Sequence, residues 1–159
     1  MFNADEILAI AVKIEQNARD FYTRAAENVE DEGAKTLFRD LANWEVSHIK
    51  LFSDMREKFA AQREALDAMD VDGEAAKYLQ AIADGEIFKV SQTQADLDAM
   101  GDDPAGIIQV AIGREKDAVI FYTAMKDMVP ETLGKDDIDK IIEEEMSHVR
   151  FLAEKARTL

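Results

Sequence analysis

The 159-residue chain has no cysteine, which excludes disulfides, thiolate metal sites, a nucleophilic Cys and any Cys-ligated iron centre within it. The redox compartment is therefore not readable from this residue. Basic side chains are few: 19 Lys and Arg stand against 34 Asp and Glu, a net charge of −15. That balance opposes binding to nucleic acid or to an anionic membrane surface and favours cationic partners, metal ions among them. No apolar run approaches the ~20 residues needed to span a bilayer. The opening Met1-Phe2-Asn3-Ala4-Asp5-Glu6 carries no basic stretch ahead of its apolar residues, so the expectation is a cytoplasmic protein. Alternation of the β type is missing as well, and the length suits a single domain over 1–159 with a sizeable core.

Histidine is almost as scarce, and its placement organises the rest. The two histidines, His48 and His148, lie 100 positions apart and close two copies of one motif, Glu45-Val46-Ser47-His48 and Glu145-Met146-Ser147-His148. A carboxylate and an imidazole at i and i+3 share one helix face, so two such helices can aim two Glu and two His at one point.

Apolar residues recur at helical spacing around both motifs. Asn3 and Glu6 form a capping box, and Ile7, Ala11, Ile14, Ala18, Phe21, Tyr22, Ala25 and Val29 predict a helix over about 4–29. Glu15 stands in the middle of that stripe. Asp31-Glu32-Gly33 breaks the pattern, and Leu37, Phe38, Leu41, Trp44, Glu45, His48, Leu51, Phe52, Met55 and Phe59 predict a second helix over about 32–64. From 65 to 102 the pattern loosens into a crossover. It carries a short amphipathic piece with Ala75, Tyr78, Leu79 and Ile82, a further turn or two over Thr93–Met100, and apolar Ile87, Phe88 and Val90. Asp103-Pro104 opens a third long helix, about 104–129, in which Glu115 interrupts Ile108, Ala111, Ala118, Tyr122, Met125 and Val129. After Pro130 and Gly134, Ile138, Ile141, Ile142, Glu145, His148, Val149 and Leu152 predict a fourth over about 136–157.

The halves are repeats. An offset of 100 pairs Glu15 with Glu115, Ala18 with Ala118, Phe21-Tyr22-Thr23 with Phe121-Tyr122-Thr123, and Glu45, Ser47 and His48 with their counterparts. Two antiparallel hairpins joined by a long crossover make an all-α four-helix bundle with pseudo-twofold symmetry, the arrangement of ferritin-like folds. One Glu from each of two helices and one Glu-x-x-His from each of the other two form a di-iron carboxylate set: Glu15, Glu45, His48, Glu115, Glu145 and His148. Oxygen-rich donors with one imidazole per metal suit iron, with Mn or Zn as other occupants. Four buried carboxylates without metal would repel one another, whereas two divalent cations bring +4 against −4. Any one of the six alone is explained by a solvated face or a hydrogen-bonded core position; six on the apolar faces of four helices are not. Tyr22 and Tyr122 have two readings, plain packing or a hydroxyl that bonds a ligand or gates access. Glu143 and Glu144 read as surface charge, and Met55, Met125, Met128 and Met146 as core filler. Beside the repeated residues the halves differ, Trp44 against Glu144 and Ile14 against Arg114, which predicts unequal surroundings for the two metals.

Glu15 with Tyr22, Glu45-x-x-His48, Glu115 with Tyr122 and Glu145-x-x-His148 make the chain resemble, over nearly its whole length, the rubrerythrin family of ferritin-like di-iron proteins. The resemblance implies a non-haem di-iron site, a homodimer or larger assembly, and reduction of hydrogen peroxide or dioxygen in oxidative-stress protection. On that reading two irons per chain are bridged by Glu45 and Glu145, with Glu15 and Glu115 terminal and one His on each. Rubrerythrins carry a rubredoxin-like Cys-ligated iron domain; without cysteine, electrons are expected from a separate protein. They also carry an additional Glu one turn after the position of Glu115, where this chain has Ala118. Two other functions fit the same site: iron oxidation for storage, as in ferritins, and a non-catalytic sensor of oxygen or iron with the crossover as its interaction surface.

Overall fold

The structure is a computed structural model that describes residues 4–62, 77, 81, 92–129 and 131–159. Five α-helices and one 3-10 turn account for nearly all of the described residues: α1 (Ala4–Asn28), α2 (Glu32–Gln62), α3 (Gln92–Met100), α4 (Pro104–Lys126) and α5 (Lys135–Ala156), with the 3-10 turn at Glu131–Leu133. No strand occurs among the described residues. The four expected long helices are α1, α2, α4 and α5, each ending within a few residues of its expected bound. Asn3, the amphipathic piece around Tyr78, Pro130 and the apolar Ile87, Phe88 and Val90 lie outside the described residues.

Each long helix buries one face. Along α2 the buried positions Ala34, Phe38, Leu41, Glu45, His48, Phe52, Met55 and Phe59 follow one another in steps of three and four, with Ala42 buried beside Leu41, and keep a single seam toward the partner helix. Along α5 they are Ile138, Ile141, Glu145, His148 and Leu152. Packing is densest within the hairpins, α1 on α2 and α4 on α5, and the hairpins meet through α1 with α4 and α2 with α5. The α4 start follows from its sequence. Pro104 occupies the first turn, where a missing N–H costs nothing, and the Asp103 carboxylate accepts the Gly106 N–H at 3.0 Å. A Cβ at position 106 would lie 2.2 Å from Asp103 Oδ2, so any other residue there would displace the capping carboxylate. Gly134 opens α5 at φ 98°, a left-handed conformation that costs other residues roughly 1–2 kcal/mol.

The apolar core comes in two pieces. One gathers Ile7, Leu8, Ala11, Phe52, Met55, Phe121, Met125 and Ile141; the other gathers Phe21, Ala25, Phe38, Leu41, Ile107, Ile108, Ala111 and Leu152. In every long helix the polar residues of the repeat fall between the two: Glu15 between Ala11 and Phe21, Glu45 between Leu41 and Phe52, Glu115 between Ala111 and Phe121, Glu145 between Ile141 and Leu152. The bundle therefore has a polar layer across its middle and an apolar cap at each end. α3 closes one end: Leu97 inserts into the second cluster, and its carbonyl accepts from Asn28 Nδ2 at 3.4 Å.

Two minor expectations need correction. Met55, Met125 and Met128 are buried, but Met146 is 54% exposed: it follows the inward Glu145 by one residue and so turns about 100° away from the core. Trp44, expected within the apolar face of α2, is 39% exposed.

Candidate metal centre

Glu15, Glu45, His48, Glu115, Glu145 and His148 are the buried polar and charged side chains of the described chain, each at most 3% exposed. α1 supplies Glu15, α2 supplies Glu45 and His48, α4 supplies Glu115, and α5 supplies Glu145 and His148. Each imidazole turns its Nδ1 toward three carboxylates. His48 Nδ1 lies 3.1 Å from Glu45 Oε2, 3.1 Å from Glu145 Oε1 and 3.4 Å from Glu15 Oε2. His148 Nδ1 lies 2.8 Å from Glu145 Oε2, 3.6 Å from Glu45 Oε1 and 3.7 Å from Glu115 Oε1. Two four-residue groups result, Glu15, Glu45, His48 and Glu145, and Glu45, Glu115, Glu145 and His148, with the donor atoms of each within 4.8 Å of one another. Glu45 and Glu145 belong to both.

Three of these converging atoms, Glu45 Oε1, Glu145 Oε2 and His148 Nδ1, are buried with no hydrogen-bond partner. The 2.8 Å approach of His148 Nδ1 to Glu145 Oε2 is thus a close contact of two polar atoms without hydrogen-bond geometry. Buried polar atoms left unpaired are costly, and several aimed at one point mark a place for a cation. Carboxylate oxygens with one imidazole nitrogen per group suit iron, manganese or zinc.

Both tyrosines pack in the apolar clusters and also bond a buried glutamate. Tyr22 on α1 donates its hydroxyl to Glu115 Oε1 on α4, and Tyr122 on α4 donates to Glu15 Oε1 on α1. Each half thus holds the other half's glutamate. Burial, then the charge of the carboxylate each one faces, pushes both phenols well above their ordinary range, so they stay neutral donors. Burial also raises Glu45 and Glu145 well above the usual carboxylate range, and the neighbouring carboxylates add to it, Glu145 and Glu15 at Glu45, Glu115 and Glu15 at Glu145. For Glu15 burial pulls upward too, but the His48 imidazole and the hydrogen bonds around it outweigh this and hold its carboxyl low. Burial disfavours the charged form of His48, yet Glu145, Glu15 and Glu45 overcome that and raise it.

Position 144 is surface charge, as expected, with an added contact. The Glu144 side chain is 59% exposed but reaches from α5 to α2, where its Oε2 accepts the His48 Nε2–H at 2.7 Å. The counterpart at 44 does something else. The Trp44 ring stacks on the His148 ring at 5.2 Å and 10°, with Phe151 at 5.5 Å on its flank. The mismatch of Trp44 with Glu144 in the repeat was the available signal. Ala118, where rubrerythrins have a further Glu, is buried in the first apolar cluster, and no seventh carboxylate joins the two groups among the described residues.

Comparison with known proteins agrees with this geometry. The family model described as Rubrerythrin matches residues 6–103, well over half of the chain. The chain belongs to the rubrerythrin family. The structure of a protein described as "ferritin-like diiron-carboxylate", from Thermotoga maritima, superposes on this rubrerythrin-family chain with a TM-score of 0.71. The two share 23% identity, and the match covers 98% of this chain and 95% of the other, so the two chains share a fold. None of the curated proteins matches the chain. Among the described residues no helix is long and apolar enough to cross a membrane.

Proposed function

We propose that this rubrerythrin-family chain is a di-iron oxidoreductase that reduces hydrogen peroxide or dioxygen with electrons from a separate donor protein, acting as a homodimer in the cytoplasm. The observation that carries the reading is the pair of overlapping donor groups sharing Glu45 and Glu145. Glu45 and Glu145, common to both groups, would hold both irons, with Glu15 and His48 completing one position and Glu115 and His148 the other. Two ferrous ions, when bound, supply the two electrons and the Lewis acidity that peroxide reduction to water requires. The chain's own groups do the rest. Tyr22 and Tyr122 hold the terminal carboxylates in place across the hairpins, and the apolar clusters on either side keep bulk water from the polar layer. The protein thus contributes orientation and electrostatics to chemistry that belongs to the metal.

The test is anaerobic loading with Fe(II), followed by rapid mixing with H₂O₂ and with O₂ in separate experiments and then with a reductant. Oxidation of about two irons per chain and repeated turnover support the reading. Oxidation without turnover, together with growth of an iron core, would assign the chain to iron storage instead. Inertness to both oxidants would leave a sensor.

A further inference from the structure

The repeat places chemically unlike groups against the outer edges of the two histidines. Behind His48, the Glu144 carboxylate accepts the Nε2–H at 2.7 Å. This fixes the tautomer that leaves Nδ1 to face Glu15, Glu45 and Glu145, and it locks the ring plane from a different helix. Behind His148, no acceptor meets Nε2 among the described residues; the ring is instead covered by the indole of Trp44, parallel to within 10°. A carboxylate on the distal nitrogen raises the donor strength of an imidazole and holds its orientation, whereas an aromatic face restrains the ring without adding charge. The rest of the layer is matched, apart from Arg114 beside Glu115 where Ile14 stands beside Glu15. The two rings stack on each other at 5.7 Å, both face Glu45 and Glu145, and each has one terminal glutamate held by a tyrosine of the opposite half.

We propose that the two metal positions are unequal by construction: the His48 position, with Glu144 as its positioning residue, fills first, and the His148 position fills second under Trp44. The inference rests on the two-metal reading above. Trp44 is the only tryptophan in the chain and its ring stacks on the second histidine, so its fluorescence responds most strongly to that position.

The experiment titrates the full chain with Co(II), a redox-stable stand-in for Fe(II), and follows calorimetry and tryptophan fluorescence together. Two steps are expected, separated by roughly 10–100-fold in affinity, with the larger quenching in the second. In Glu144→Ala the first step weakens by roughly 10–100-fold and the larger quenching moves to the first equivalent, while Glu144→Gln, which keeps an acceptor, recovers part of the loss. Glu143→Ala removes the same charge one residue away and leaves both steps in place. His148→Ala reduces the quenching and retains the first step; His48→Ala loses the first step and retains the larger quenching. Two equivalents binding with equal affinity in the unsubstituted chain, or unchanged binding in Glu144→Ala, overturns the inequality while leaving a two-metal site. Failure to bind Co(II) overturns the metal centre itself.

Discussion

With metal removed, this bundle should lose stability as the pH rises, the reverse of what an acidic protein shows when its carboxylates are well paired. Glu45 and Glu145 are held well above their ordinary value of 4.5 by burial and by the neighbouring carboxylates. In the folded chain each therefore keeps a proton that the unfolded chain has already released above about pH 4.5. Every unit of pH beyond that point favours the unfolded state by about 1.4 kcal/mol per group, until the folded-state value is passed. Two groups sharing one layer titrate as a set, so roughly 1.4–2.8 kcal/mol per unit is the reasonable range. His48, raised in the folded state, acts in the same direction above about pH 6.5: its stabilisation is complete below that value and is lost as the pH climbs through its folded value. Glu15, held low, acts oppositely; its contribution is complete above about 4.5 and is lost only on acidification. At roughly 2–4 °C per kcal/mol for a chain of this size, the melting temperature of the metal-free protein falls by roughly 3–10 °C per unit of pH above about 5, over the interval in which Glu45 and Glu145 keep their protons. Scanning calorimetry of chelator-treated protein across that interval is the assay, and a loaded sample is the control. Metal ligation needs the carboxylates ionised, so the loaded protein gains relative to the free one as the pH rises. A flat or rising melting temperature in the metal-free series would refute the claim that Glu45 and Glu145 sit in the folded bundle as strained acids.

Three other outcomes follow from the geometry. Tyr22→Phe and Tyr122→Phe each leave a buried glutamate oxygen without its donor, on Glu115 and Glu15 respectively, and should cost about 1–3 kcal/mol in urea unfolding of the metal-free chain. Glu115→Gln, which keeps an acceptor for Tyr22 and removes a repelling charge, should leave metal-free stability unchanged or higher, while elemental analysis after Fe(II) loading drops from two ions per chain toward one. Gly134→Ala forces a Cβ into the left-handed conformation at the head of α5, where Asp137 Oδ2 is 2.9 Å away, and should lower stability by about 1–2 kcal/mol without changing metal content.

The bundle and the six buried polar residues were legible because both are carried by local spacing. Steps of three and four define each helix face, and the offset of 100 repeats the same polar residues on it, so no knowledge of tertiary contacts was required. What escaped were contacts between helices far apart in sequence. Tyr22 could be placed on the inner face, but that its hydroxyl crosses to Glu115 rather than staying near Glu15 depends on how the hairpins face each other. Glu144 reads as surface by its spacing from Glu145, and it is in fact largely exposed; only its reach over the seam between α5 and α2 makes it a partner of His48. Leu97 was hidden for a related reason, since one buried leucine in a nine-residue helix leaves no periodic trace.

Each hairpin carries half of the constellation, and by the pseudo-twofold relation two copies of either one would rebuild all of it. Such a homodimer, however, would be bound by its own symmetry: two tryptophans behind the two histidines, or two glutamates, never one of each. Joining the halves in a single chain frees positions 44 and 144 to diverge while the shared layer stays matched. The connection between the hairpins thus does more than close the bundle. It lets one gene product hold a symmetric cradle with a sidedness that no assembly of identical parts can possess.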